Sequence, residues 1–440
     1  MFDKDMKQTA PVIMVGSGVI CTAVSAGSIL LKNNYDWGYG FFFIALFSIL
    51  LALGAMKRTT VSTEIAIAYL ARLGMCILCT VQNDGDADNY AVNAINYAAM
   101  PLGEVFLNVP MGAYLYSWVI SFFFRFFGPC YTPVRAMNMA ISVCCVYVTI
   151  DIVSEIYHNT KITKQAAIWM AVFPNLIRFS SYFANREPML LIFMLLYLKY
   201  SYRYYKSNHI QNLILSIIFL IPAMILHTSM LAMIALTMFI ILTRETKTSD
   251  KASANIGKAL LALAMVLLFV YMLMSGVGTE KFGIGGGVEL SVSGVSSLGN
   301  MSAAGRAAYL KGVSFSNPIL TILFLPIRML YFLYTPFVWM LRAAVDLVGF
   351  FDAALYIYVS YRMYKKIKLL HNKAKKTSEE KFVMLLFFVL AVVVAMFAAV
   401  TSNYGTAIRH RCKLFPLMLL IVADKISKRD FDIKEDKDEN

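Results

Sequence analysis

Long apolar runs dominate the chain and determine its predicted structure. They fall at about 11–31, 37–56, 61–81, 111–127, 136–157, 165–183, 188–200, 211–227, 228–243, 258–275, 318–340, 343–361, 382–402 and 412–424. Many of them have the roughly 17–25 residues that a helix needs to cross a bilayer. The alternating pattern of about ten residues that is typical of a membrane β-barrel does not occur in the sequence. The pattern therefore predicts an all-α fold, a polytopic bundle of transmembrane helices.

Composition supports this class and gives the positive charge an explanation. The 440 residues are 59% hydrophobic and 15% charged, whereas soluble domains carry about 25% charged residues. The formal net charge of +14 comes largely from lysines and arginines in short segments between the apolar runs. Such segments usually remain in the cytoplasm, and they attract anionic lipid. Membrane lipid is therefore an expected partner, and nucleic acid is not.

The basic segments predict the orientation of the chain. Those expected in the cytoplasm are 56–60, 199–209, 243–251, 361–376 and 424–430, which leaves 82–110, 184–187, 276–316 and 403–411 on the outer side. Strict alternation of every apolar run conflicts with this assignment in two regions, so 111–127 and 318–340 are predicted not to cross. We expect about twelve spans plus interfacial or re-entrant elements, with both termini inside. Residues 1–430 then form one membrane domain with outer loops 82–110 and 276–316, and 431–440 form a charged cytoplasmic tail.

Arginines collect in and near the segments that are predicted to lie outside. An ionisable group at bilayer depth costs about 2.5–3.5 kcal/mol on insertion scales, so each needs a reason. Arginine always holds its charge and can grip a phosphate with two parallel hydrogen bonds. Each arginine could instead reach the interface and pair with headgroups or acids, but positive charge outside runs against the usual bias. We therefore predict an outer cavity for an anionic lipid-linked substrate, above all a pyrophosphate, with the candidate ligands Arg178, Arg186, Arg328, Arg409 and Arg411.

Three further residues are candidates for proton transfer. Asp86 lies in the stretch QNDGDADNY, Glu187 follows Arg186, and His227 begins the stretch HTSML at a predicted helix end. Each also has a structural interpretation: a solvated loop for Asp86, an ion pair at a helix start for Glu187, and a hydrogen-bonded structural residue for His227. Both interpretations stay open on the sequence alone.

The alternating acids of QNDGDADNY also suggest a calcium loop, and their spacing excludes it. If Asp84 is position one, Asn89 occupies the position where an EF-hand needs Gly, and Ile95 the position where it needs Glu. No set of residues with zinc spacing, no P-loop and no dinucleotide fingerprint occurs in the sequence. We therefore predict no metal site and no cofactor.

Four stretches in order resemble a known family. They are DGDADNYAVNAINYA, FPNLIRFSSYFANREPMLLIFMLLYLKYSYRYY, LIPAMILHTSMLAMI and YGTAIRHRCKLFPLMLLIV, roughly a third of the chain. Together they look like the EpsG-like subgroup of Wzy-type oligosaccharide repeat-unit polymerases. The resemblance implies a GT-C-like glycosyltransferase of the bacterial inner membrane whose active site faces the periplasm. It carries the family's outer-loop acid onto Asp86, its hairpin histidine onto His227, and its arginines onto Arg186 and Arg409, whereas Arg178 and Arg411 have no family position.

The activity implied by this resemblance joins repeat units into a surface polysaccharide. Undecaprenyl-pyrophosphate-linked glycans are both donor and acceptor, and a chain-length regulator is a further candidate partner. An acceptor hydroxyl attacks the anomeric carbon with inversion, polyprenyl pyrophosphate leaves, and Arg186, Arg409 and Arg411 stabilise its charge. One of the three proton-transfer candidates takes the proton of the hydroxyl. The alternatives are another GT-C glycosyltransferase, an O-antigen ligase, and a flippase for lipid-linked oligosaccharides.

Overall fold

The computed structural model describes residues 8–78, 86–179, 184–243, 260, 306–310 and 318–426. Within these ranges the regular structure is helical and includes no β-strand, with one isolated antiparallel bridge between Ala308 and Asn403. The prediction of an all-α fold is confirmed for this part of the chain. The predictions for the first acids of the 82–110 loop, for the run 258–275, for most of the loop 276–316 and for the tail 431–440 lie outside the described residues.

The described helices are numbered here in chain order. The first nine are α1 (Thr9–Lys32), α2 (Tyr35–Ala55), α3 (Ser62–Leu78), α4 (Asp86–Ala99), α5 (Leu102–Leu107), α6 (Leu115–Phe127), α7 (Tyr131–Tyr157), α8 (Thr160–Val172) and α9 (Pro174–Ile177). The others are α10 (Glu187–Ser207), α11 (Ile210–Leu226), α12 (Ala232–Thr243), α13 (Pro318–Tyr334), α14 (Ala344–Asn372), α15 (Ser378–Val400), α16 (Tyr404–Arg411) and α17 (Phe415–Ile426). Short 3-10 turns lie at Thr59–Val61, Thr228–Leu231 and Val338–Met340.

Five of the described helical segments are long and apolar enough to cross a membrane. They are Thr9–Lys32, Tyr35–Ala55, Thr59–Leu78, Tyr131–Tyr157 and Ser378–Val400. These five are fewer than the predicted twelve or so spans, partly because some apolar runs are divided into shorter helices. The run 165–183 is divided at Phe173, which precedes Pro174 and is extended, as expected for a residue before proline. The two runs predicted not to cross contain α6, of 13 residues, and α13, of 17 residues.

Helix α7 lies at the centre of the described bundle and separates two chemically different ends. It is buried over most of its length and packs against α2, α3, α8 and α10. Near its C-terminus Asp151 forms salt bridges with Arg58 and Lys199, at 2.8 and 2.7 Å. Near its N-terminus Asn138 donates a hydrogen bond of 2.7 Å to the carbonyl oxygen of Asn185. Because a helix rises about 1.5 Å per residue, these two contacts lie roughly 20 Å apart along α7.

The end of the bundle that carries Asp151 is called the basic end below. The basic segments that are predicted to lie in the cytoplasm meet there. Arg203 pairs with Glu155 at 2.6 Å, and Lys206 pairs with Glu379. At the opposite end, called the cavity end, Asp86 pairs with Arg409, and Ala308 forms a bridge with Asn403. The described parts of the segments that the charge pattern places outside therefore meet there. The division of loops between two ends therefore follows the distribution of positive charge along the sequence.

The predicted outer loop 82–110 is largely helical where the structure describes it. Asp86 and Asp88 lie in the first turn of α4, where carboxylates are stabilised by the helix dipole. The buried residues Tyr90, Ala91 and Ala94 then face the bundle at helical spacing, and α4 packs against α6. Asp86 is thus held at a helix start and not in an irregular loop.

A close approach of α2 to α7 gives a testable packing prediction. A Cβ added at Gly40 would overlap the side chain of Thr132. Thr132 is held in place because its backbone N–H and its hydroxyl both donate hydrogen bonds to the carboxylate of Asp36. We expect Gly40→Ala to destabilise the protein by about 1–3 kcal/mol, as overpacking does. Gly16→Ala is the matched control, because a Cβ there meets nothing within 4 Å and alanine favours a helix. Thermal unfolding in detergent measures both, and equal melting temperatures for the two variants would refute the close approach.

Candidate functional site

A cavity of about 300 Å³ lies at the cavity end, between α16 and the segment that precedes α10. Its lining side chains are polar or cationic in the majority. They are Arg178, Phe179, Asn185, Asn403, Gly405, Thr406, Ile408 and Arg409. The volume is at the lower end of the range for small-molecule sites, which suits a headgroup better than a whole glycan chain.

Interrupted helices deliver two of these residues to the cavity. Helix α8 ends at Val172 and α9 starts at Pro174, where a missing backbone N–H is tolerated. Helix α10 then begins at Glu187, so Arg178 and Asn185 lie on the connecting segment. Arg72 binds the freed end of α8 by donating a 2.8 Å hydrogen bond to the carbonyl oxygen of Met170. A side chain of α3 thereby holds the end of α8, from which the chain leads to Arg178.

Helix α16 supplies the other wall, and its first turn is firmly attached. The side-chain oxygen of Asn403 accepts hydrogen bonds from the backbone N–H groups of Gly405 and Thr406, which is a standard N-cap. The hydroxyl of Tyr404 lies 3.1 Å from Asp346, a buried carboxylate that also binds Arg306 at 2.6 Å. This attachment determines where Arg409 stands on the last turn.

Arg409 joins two of the predicted carboxylates. Its Nη1 lies 2.5 Å from Asp86 Oδ2, and its Nε lies 3.6 Å from Glu187 Oε1. The Asp86 side chain is 43% exposed and the Glu187 side chain only 5%. Burial lowers the pKa of Arg409, but Glu187 and Asp86 outweigh it and hold that pKa above its ordinary value. The guanidinium is therefore permanently charged at the cavity wall.

Lys413 is a cation of the site that the sequence analysis did not single out. It lies in the turn between α16 and α17, with its Nζ 3.4 Å from Glu187 Oε1 and 3.0 Å from His410 Nδ1. The Lys413 side chain is buried, and the carboxylate of Glu187 offsets its charge. The only sequence signal for it was its place at the end of the basic run RHRCK, two residues after Arg411.

Positive charge collects at this end of the described bundle. Arg178 and Arg409 line the cavity, Arg186 and Lys413 lie behind it near Glu187, and Asp86 pairs with Arg409. Guanidinium groups at a cavity wall can donate paired hydrogen bonds to a phosphate or a carboxylate. The arrangement therefore favours an anionic ligand.

Two of the arginines predicted for the substrate lie elsewhere and serve the backbone. Arg328 is 1% exposed and donates to the carbonyl oxygens of Ala398 and Thr401, at the C-terminal end of α15. Arg411 is fully buried and donates to the carbonyl oxygens of Leu333 and Thr335, at the end of α13. Neither belongs to the cavity lining given above. Both satisfy carbonyl groups that a helix end leaves without an intrahelical partner.

The same role recurs at other buried helix ends. Arg186 donates a 2.5 Å hydrogen bond to the carbonyl oxygen of Leu226, the last residue of α11. Arg125 donates to the carbonyl oxygen of Tyr97, in the last turn of α4. A guanidinium at such a position also complements the negative end of the helix dipole. Arg186, Arg328 and Arg411 therefore each satisfy a carbonyl group at a helix end.

His227 lies behind the cavity and not on its wall. It follows α11, and its Nδ1 is 2.8 Å from the hydroxyl of Ser229. Its ring packs at 4.9 Å from the ring of Phe397 and at 5.2 Å from the ring of His410. His410 in turn contacts Lys413. His227 is therefore linked to the charged residues of the site only indirectly, by way of His410.

A second cavity, of about 440 Å³, lies at the basic end. Its charged walls pair with each other: Lys366 lies 2.6 Å from Asp424, and Lys373 lies 2.9 Å from Glu380. The lysines and carboxylates of this lining therefore offset one another. The described lining of the first cavity includes two arginines and no carboxylate, so the first cavity is the stronger candidate for an anionic ligand.

No protein-family model matches the chain, and no curated protein matches it at a significant level. Its function is therefore inferred from the side chains described above.

Proposed function

We propose that the chain is an inner-membrane glycosyltransferase that joins polyprenyl-pyrophosphate-linked repeat units into a polysaccharide. The observation that carries the proposal is the cavity lined by two arginines, Arg178 and Arg409, between α16 and the segment before α10. A diphosphate diester carries two negative charges and can accept hydrogen bonds from both guanidinium groups. The resemblance of the sequence to repeat-unit polymerases supports the same substrate class, and a GT-C-like arrangement of about twelve spans is part of the proposal.

The orientation follows from charge. The basic end would lie in the cytoplasm, as basic segments usually do, and the cavity would then face the periplasm. Lipid-linked glycan in the outer leaflet could present its diphosphate at the depth where the interrupted segment before α10 meets α16. Irregular backbone at membrane depth is tolerated where it lines such a cavity.

The proposed reaction uses the two cavity arginines as the leaving-group site. The acceptor hydroxyl forms a bond to the anomeric carbon while the bond from that carbon to the diphosphate oxygen breaks. The electron pair leaves with the diphosphate, whose growing charge Arg178 and Arg409 stabilise by preorganised hydrogen bonds. The proton of the hydroxyl passes to Asp86, whose half-exposed carboxylate is held beside Arg409 and is open to a second substrate. Glu187 is buried behind Arg409, where it positions the guanidinium.

The test is incubation of the purified protein in proteoliposomes with a labelled polyprenyl-pyrophosphate-linked repeat unit. A ladder of products spaced by one repeat unit is the expected result, and it should persist in EDTA because the proposed step uses no metal. A single addition that requires magnesium or manganese would identify a metal-dependent transferase instead. Transfer to lipid A-core would identify a ligase, and movement of the labelled lipid without new glycosidic bonds would identify a flippase.

A further inference from the structure

Residues 102–111, which include α5, carry an exposed apolar patch. Glu104 is the only charged residue of this stretch. A group of exposed apolar side chains of this kind marks an interaction site with protein or membrane. Five large apolar side chains of the stretch are between 45% and 86% exposed: Leu102, Phe106, Leu107, Val109 and Met111.

The patch is held in place by α6. The indole Nε1 of Trp118 donates a 2.8 Å hydrogen bond to the carbonyl oxygen of Val105, and the Val105 side chain is buried. The ring of Phe106 packs against the rings of Trp118 and Phe122, with centroids 6.2 and 5.7 Å apart. The exposed side chains therefore stand on a surface of defined position.

This surface lies beside a helix that is long and apolar enough to cross a membrane. Phe123 of α6 packs edge-on against Phe43 of α2, with ring centroids 5.1 Å apart. Helix α2 begins at the cavity end, because Arg58, which follows its other end, pairs with Asp151 at the basic end. At 1.5 Å per residue, Phe43 lies about 12 Å from the start of α2, which is less than half of a hydrocarbon core of about 30 Å. A neighbouring face of α2 exposes apolar side chains at helical spacing: Phe42, Leu46, Ile49 and Leu53.

We propose that residues 102–111 form a docking surface for the bilayer, and that their exposed side chains insert between the phospholipid acyl chains of the leaflet at the cavity end. The occupant is lipid because the patch continues from the exposed apolar face of α2, which a membrane span turns toward acyl chains. Helix α5 would lie along the interface, as short apolar-faced helices do, since irregular backbone exposed to lipid does not occur in the hydrocarbon core. The predicted outer loop 82–110 would then be partly embedded and not wholly in water.

Quenching of a fluorophore in the patch tests this proposal. A small fluorescent amino acid replaces Leu107 in the full-length protein, which is reconstituted in nanodiscs of phospholipid with or without bromine on the acyl chains. We expect the brominated chains to cause a larger loss of emission than iodide in the buffer, because the side chain lies among the acyl chains.

Two other positions calibrate the measurement. The same fluorophore in place of Leu53, on the exposed face of α2, should lose emission in brominated lipid. In place of Lys375, which is exposed in the basic segment 361–376, it should lose emission with iodide. If the Leu107 variant does not fold, Met111, which is 51% exposed, provides a second position with the same expected result.

Two results would overturn the docking surface. A larger loss of emission with iodide would place the patch in water. No loss with either quencher would show that protein covers the patch, from another segment of this chain or from a second copy. The measurement uses neither substrate nor catalytic activity, so its outcome is independent of the proposed function.

Discussion

Replacement of Arg409 by alanine is expected to reduce polymer formation by about 10²–10³-fold while the protein stays folded and inserted. This is the range for loss of one preorganised donor to a developing negative charge. Arg409 lines the cavity and holds Asp86 at 2.5 Å, so its loss removes a ligand of the diphosphate and releases the proposed base. Arg409→Lys keeps the charge but not the forked geometry, and it should retain only part of the activity.

The matched control for Arg409 is Arg342→Ala. Arg342 also lies at the cavity end but is exposed, and its backbone N–H, which the substitution preserves, is the group that binds Asp346. Product ladders from equal amounts of reconstituted protein measure both variants. Wild-type ladders from Arg409→Ala would remove this arginine from the proposed mechanism.

Replacement of Arg411 by methionine is expected to act on stability, with a loss of about 3–5 kcal/mol in the free energy of unfolding. Arg411 Nη2 lies 3.0 Å from Asp352 Oδ2, and both side chains are almost completely buried. Removal of one partner leaves an uncompensated buried charge, which is the origin of losses of this size. The carbonyl oxygens of Leu333 and Thr335 lose their donor in the same step.

A double variant separates the effect of the unpaired Asp352 carboxylate from the effect of the lost hydrogen bonds to the helix end. In Arg411→Met/Asp352→Leu no buried carboxylate remains unpaired, so the double variant should be more stable than Arg411→Met alone. Melting in detergent gives both values. If Arg411→Met kept the wild-type melting temperature and lost diphosphate binding, Arg411 would belong to the anion site, as the sequence first suggested.

The helical class and the separation of the two ends could be predicted from sequence, because both depend on local features. Apolar runs specify helices. Basic residues lie in the segments between these runs, and the segments meet at one end of the bundle, where Asp151 pairs with Arg58 and Lys199. Where helices end inside the bundle was harder to predict. Phe173 breaks an apolar run of ordinary length, and the sequence alone did not indicate that Arg72 would satisfy the carbonyl groups released there.

The residues of the candidate site could be predicted from the sequence only in part. Asp86, Glu187 and Arg409 were each identified from the sequence, and the structure brings them into one cluster although they are far apart in the chain. Arg328 and Arg411 carry the same charge as Arg178 and Arg409, but the guanidinium groups of Arg328 and Arg411 bind carbonyl oxygens at helix ends instead of lining the cavity. Whether an arginine reaches a helix end depends on tertiary packing. It therefore could not be predicted from the residue type or from the predicted side of the membrane.

The most direct test of the central claim is an experimental structure of the protein in lipid nanodiscs with a non-hydrolysable diphosphate analogue of the polyprenyl-linked glycan. The account predicts diphosphate density within hydrogen-bonding distance of the guanidinium groups of Arg178 and Arg409, at the cavity end. Density for the diphosphate beside Arg328 or Arg411, or in the cavity at the basic end beside Lys366, would contradict it.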